Sequence, residues 1–139
     1  MADQSRRSRM KVTTRFERPD GGDSKVRHAG FCEITEENGL QFVWQETQEG
    51  ETIRFTLWTD GSSARMLREG SASGTLTFVP GKCTQVCYET PYGVLDMGLQ
   101  THALALEKNG QGGSLKLHYD LMAGEQKDST AHLELLWRA

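Results

Sequence analysis

Tyr88-Glu89-Thr90-Pro91-Tyr92-Gly93 is the stretch on which the fold turns. A strand-like run, Lys82 to Glu89, leads into it, and a longer one, Val94 to Glu107, leads out. Pro91 fixes its own φ and pushes Thr90 into an extended conformation. Pro at the second position and Gly at the fourth fit a type I turn. Two strands joined this way lie antiparallel, and their neighbours can be registered from the turn.

Further strands appear on both sides. Upstream, Leu40, Phe42 and Trp44 share one face, and Ile53, Phe55 and Leu57 alternate with polar residues. Asn38-Gly39, Gln48-Glu49-Gly50 and Asp60-Gly61 separate these runs with hairpin signals. Downstream, Leu115, Leu117, Tyr119 and Leu121 form one alternating run, and Leu133, Leu135 and Trp137 another. Ala64 to Glu69 and His102 to Asn109 are ambiguous, since propensity alone allows helix in both. Gly98 marks a bulge or a bend. About ten short strands with a turn every ~8–12 residues predict an all-β sandwich or barrel.

The 139 residues suit one domain, and 36% hydrophobic residues plus 15 glycines support a single core. The expected organisation is a flexible basic tail over residues 1–9 and one β-barrel domain over 10–139. The formal net charge of −3 argues against nucleic acid as a general partner. Within residues 1–18, however, six Lys/Arg face only Asp3 and Glu17. No apolar run approaches the ~18 residues of a membrane span, so no membrane partner is expected. Arg residues near the start have no apolar stretch behind them, unlike a secretory signal. Cys83 and Cys87 on one strand lie ~13 Å apart, beyond disulfide reach. Three free thiols in a reducing cytoplasm are therefore expected.

From Tyr88 onward the pattern becomes specific. The Tyr-Glu-Thr-Pro-Tyr-Gly segment, Thr101, and Gly112-Gly113-Ser114-Leu115-Lys116-Leu117-His118-Tyr119-Asp120-Leu121 resemble the YwiB-like family of small bacterial proteins. Arg68-Glu69-Gly70, Leu76-Thr77-Phe78 and Gly81 fit the same pattern upstream. The resemblance covers roughly residues 10–138. It implies a calycin-like antiparallel β-barrel of eight to ten strands, akin to lipocalin and streptavidin-like barrels, in a bacterial cytoplasm. It also decides both ambiguous segments in favour of strand. It implies no activity and no catalytic residue.

Chemistry-bearing residues are sparse. His28, His102, His118 and His132 are scattered without metal-ligand spacing, so neither a metal nor a cofactor is expected. Cys83 and Cys87 have no activating base nearby, and Gly110-Gln111-Gly112-Gly113 precedes no helix that could bind phosphate. Pairing Lys108 with Gly113 sets Leu106 opposite Leu115 and Leu104 opposite Leu117. It also sets His102 opposite Tyr119, inside the barrel. The candidate ligand-binding residues are His102, Tyr119, Tyr88, Tyr92 and Arg68. The expected role is a non-enzymatic module binding a small, partly apolar ligand. The rival is a protein- or RNA-interaction module acting through the outer surface and the basic N-terminal residues.

Overall fold

The computed structural model describes residues 5–138, and every regular element among them is a strand. The strands are β1 (Arg6–Glu17), β2 (Asp23–Glu36), β3 (Leu40–Gln48), β4 (Glu51–Thr59) and β5 (Ala64–Glu69). They continue with β6 (Gly74–Phe78), β7 (Cys83–Thr90), β8 (Gly93–Asn109), β9 (Gly112–Ala123) and β10 (Gln126–Arg138). Both segments that propensity left open are strands, β5 and the second half of β8.

Sequence neighbours pair antiparallel from β1 to β6 and again from β7 to β10, while β1 pairs with β10. The result is an up-and-down meander curled into a nearly closed barrel. Its seam lies between β6 and β7. There Ser73 and Glu89 exchange two backbone hydrogen bonds of 2.9 and 2.8 Å, and the Thr84 hydroxyl donates to the Thr77 carbonyl at 2.7 Å.

The turns are those the sequence asks for. Pro91 and Tyr92 join Thr90 to Gly93, and only Gly93 has positive φ, at +126°. Thr90 braces this turn: its hydroxyl donates to the Gly93 carbonyl and accepts from the Tyr92 amide. Between β3 and β4, Glu49 and Gly50 both have positive φ, the geometry of a type I′ hairpin.

Inward positions carry the core. At one end, Phe42 meets Trp137 edge-on at 4.9 Å between ring centroids, among Ile34, Leu40, Leu115 and Leu135. Gly113 makes this possible, since a Cβ there would sit 2.7 Å from the Trp137 ring. Removing one of these fully buried leucines should cost about 2–5 kcal/mol. All three cysteines are free, with Cys32 buried and Cys83 and Cys87 exposed. Burial, reinforced by Glu33, pushes the Cys32 thiol up to about 11, so it stays protonated and inert.

Two expectations need correction. Residues 1–4 lie outside the described residues, but Arg6 to Arg9 are sheet rather than tail. They pair with Phe31 to Ile34, and Ser8 is buried. The second correction is His102, which does not face Tyr119. The expected pairs Lys108–Gly113, Leu106–Leu115 and Leu104–Leu117 all form. A β-bulge between Thr101 and Ala103 then adds one residue, so Thr101 stands opposite Tyr119 and His102 points outward. Gly98, expected to be a bulge or a bend, is regularly paired on both sides and carries no bulge.

Two outcomes follow from this architecture. Deleting residues 1–9 should lower the melting temperature by about 5 °C or more, because it strips the partner strand from Cys32 and Ile34; thermal unfolding followed by circular dichroism checks this. Gly74→Ala should cost about 1–3 kcal/mol by overpacking, since its new Cβ would lie 2.7 Å from Tyr88 and 2.8 Å from the Cys87 carbonyl. Gly110→Ala, which meets nothing within 4 Å, is the control in the same denaturant titration and should be near neutral.

Candidate functional site

The interior is not filled throughout. Near the end carrying the Pro91-Tyr92 turn, a cavity of about 210 Å³ opens among the inward side chains. It lies below the ~300–1,000 Å³ typical of ligand pockets, so its occupant must be small. Each lining side chain comes from the alternation of its strand. On β3 the inward series Leu40, Phe42, Trp44 continues into Glu46, and on β5 the series Ala64, Met66 continues into Arg68. The apolar stripe of each strand thus becomes polar as it reaches the opening.

Aromatic faces make up much of the wall. Trp44 and Phe55 stack at 5.2 Å with their planes 14° apart. Tyr119 packs edge-on against Phe78 at 4.9 Å. Tyr88 reaches in from β7, beside the seam. Burial raises the pKa of both tyrosines, and for Tyr88 the Arg68 charge partly opposes this. Both rings are therefore neutral hydroxyl-bearing surfaces at physiological pH.

The polar groups differ in how well they are satisfied. The Glu46 carboxylate, almost fully buried, accepts from Trp44 Nε1 and from Gln48 Nε2, both at 2.9 Å. Arg68 is different. Its Nε is shielded from solvent and has no hydrogen-bond partner, and it forms no ion pair among the described residues. His28 Nε2, also in the lining, is likewise shielded and without a partner.

Of the five residues expected at the site, Arg68, Tyr88 and Tyr119 come together in this lining. Tyr92 is 99% exposed at the tip of its turn and does not reach the cavity. His102 lies on the outer surface, for the reason of the bulge. The sequence reading missed Glu46, Trp44 and His28. Glu46 and Trp44 could have been found, since they continue the period of Leu40 and Phe42.

His102 instead joins a second constellation, outside the barrel. Its ring lies 4.9 Å from that of His118, which stacks on His132 at 4.4 Å and 16°. Carboxylates cap both ends of this ladder. Asp120 accepts from Thr130 at 2.7 Å and lies 2.9 Å from His102 Nε2, with Lys127 at 3.5 Å. Glu17 lies 2.8 Å from His132 Nε2. The rings stack rather than converge, and no group among the described residues is arranged to hold a metal ion.

Desolvation and the neighbouring charges of His132 and His102 lower the His118 pKa from its ordinary 6.5, against the pull of Asp120 and Glu17. Burial works against the Asp120 carboxylate, but hydrogen bonds from Thr130 and His102 and the charges of His102 and Lys127 outweigh it and lower its pKa.

Both shifts are downward, and they act in different pH windows. Below 6.5 the unfolded state takes up the His118 proton before the folded state does, so stability falls with falling pH until the folded ring also protonates. Asp120 acts lower, because its stabilising charge is present above 3.8 and is lost as pH falls through its folded pKa. Denaturant midpoints measured from pH 7.5 to 5 should decline in the wild type and decline less in His118→Gln. Parallel curves for the two proteins would mean the ladder does not couple to folding.

Comparison with known proteins agrees with this geometry. The barrel superposes on the crystal structure of ywiB protein from Bacillus subtilis with a TM-score of 0.86 at 15% sequence identity, over 98% of this chain and 93% of that one. At that identity the likeness establishes the fold alone. No curated protein matches the sequence. Residues 10–135 match the family model described as a domain of unknown function, DUF1934. With the Tyr-x-Thr-Pro-Tyr-Gly turn, the Gly-Gly start of β9 and the ten-stranded barrel all in place, the chain belongs to the DUF1934, YwiB-like family.

Proposed function

We propose that the protein is a non-enzymatic module that binds a small, partly apolar molecule at the open end of its barrel. The observation that carries this is the cavity of about 210 Å³ lined by inward side chains near the Pro91-Tyr92 turn. Stacked aromatic faces with a few polar groups between them suit retention of a small molecule. The reactive groups in the lining are poorly placed for catalysis. Glu46 is held by Trp44 and Gln48, and the His28 ring lies against Gly30, its Nε2 3.2 Å from where a Cβ would stand. A cytoplasmic setting fits the three free thiols. No helix among the described residues is long and apolar enough to cross a membrane.

The second reading, interaction through the outer surface, also has an observation behind it. Arg9 and Arg138 stand directly opposite each other on β1 and β10, and Lys11 and Lys108 line the same open groove with Glu107. Like charges placed opposite one another destabilise a sheet, and an acidic protein or RNA segment laid across them would relieve that.

One experiment addresses both readings. Native mass spectrometry of the protein purified without denaturation from its own kind of cell should show a small-molecule adduct that disappears on unfolding. Trp44→Leu, which removes a wall of the cavity, should lose the adduct while remaining folded. A bare protein mass with no adduct would overturn the binding reading. Copurifying nucleic acid or protein, lost in Arg9→Gln/Arg138→Gln, would favour the second.

A further inference from the structure

We propose that the ligand carries a single carboxylate and that Arg68 is the residue that takes it. This rests on the binding reading above and specifies the chemistry of that same cavity. Arg68 occupies an inward position on β5, opposite Phe55 on β4 and Gly74 on β6. Gly74 has no side chain to compete for space, and Tyr88 stands just beyond it across the seam. Arg68 therefore lines the cavity wall together with Phe55 and Tyr88.

A guanidinium presents five donors in a planar fork that matches a carboxylate. Buried donors of this kind are nearly always paired. The one carboxylate in the same lining makes no hydrogen bond or ion pair with Arg68. Both Glu46 oxygens are engaged, one by Trp44 Nε1 and the other by Gln48 Nε2. Arg68 Nε is left shielded with no partner in the protein. Leaving such a donor unpaired is costly, and a ligand oxyanion removes the cost.

The charge of the lining sets the valence. Arg68 contributes one positive charge and Glu46 one negative. A dianion such as a phosphate monoester would bring a second negative charge with no further cation to pair it and a larger desolvation cost, whereas a monocarboxylate needs only Arg68. The stacked Trp44 and Phe55 rings and the small volume favour a compact body, aromatic or short and branched. His28 Nε2 is the other unpartnered polar atom of the lining.

Benzoate, benzamide and benzylamine share one ring and differ in charge, so they form the test set. Binding is read by tryptophan fluorescence and by isothermal titration. Benzoate should bind about 10- to 100-fold more tightly than benzamide, the usual worth of a charge-assisted hydrogen bond, and benzylamine should bind most weakly. Arg68→Gln should erase the preference while still binding benzamide, which shows that the variant folds. Arg68→Lys should restore part of it. Equal affinity for benzoate and benzamide, or a preference that survives Arg68→Gln, would overturn the carboxylate inference and leave the binding reading standing. No binding of any of the three would overturn both.

Discussion

The barrel depends on how its two free edges meet. Unpaired strand edges leave backbone donors and acceptors exposed, and closure is the surest way to satisfy them. Here the meeting edges are unequal, with β6 five residues long and β7 eight. They are held by the paired backbone bonds of Ser73 and Glu89 and by the Thr84 hydroxyl on Thr77. Beyond β6, the turn residues Gly81 and Lys82 bond to both backbone groups of Thr101 on β8. Gly74 brings the edges close enough for Tyr88 to pack across the gap. The shortest strand of the barrel thus lies beside Arg68 and Tyr88, and the candidate site is built into the part of the wall with the least ladder to hold it.

The two ends of the interior use opposite chemistry. At the end away from the Pro91-Tyr92 turn, aromatic and aliphatic side chains pack together, as the Phe42–Trp137 contact over Gly113 shows. At the other end, inward slots hold Glu46, Arg68 and His28. Burying polar groups is unfavourable unless they are hydrogen-bonded. Glu46 meets that condition within the protein, and its bonds also fix the Trp44 ring that stacks on Phe55. Arg68 does not meet it at Nε. Charged and imidazole side chains take the place of apolar ones at these inward slots, and such breaks tend to mark function.

Most of the fold was legible because a half-buried strand writes its period into the chain. The alternating leucines fixed the β8–β9 register as far as Leu104–Leu117, and the hairpin signals placed the turns. The start of β1 was hidden, because Ser8 takes an inward slot without being apolar and Arg6, Arg7 and Arg9 read as a charged tail. The bulge was visible in principle: Met97 and Leu99 share odd positions and Leu104 and Leu106 even ones, so one face can hold all four only if a residue is inserted between them. At the site, Arg68, Tyr88 and Tyr119 were recognisable by residue type, whereas Tyr92 misled because a turn tip faces solvent. The histidine ladder required the β9–β10 register, which sets His118 opposite His132 although they are 14 residues apart.

That inserted residue reconciles three demands on one stretch of β8. The seam needs the Thr101 backbone, whose carbonyl accepts from Gly81 and whose amide donates to Lys82. The interior needs a small side chain opposite Tyr119, whose ring is already packed against Phe78. The outer ladder needs His102 beside Asp120, where the two lie 2.9 Å apart. Without the bulge, the phase of Leu104 and Leu106 would turn His102 into the core beside Tyr119 and leave Asp120 without its neighbour. With it, the imidazole goes to a carboxylate at the surface and only a threonine hydroxyl is buried. That hydroxyl finds no partner, a smaller cost than an unpaired imidazole because it carries no titratable charge. The same step brings the seam and the cavity wall into register on β8, so the bulge belongs with the Pro91-Tyr92 turn among the features that shape this barrel.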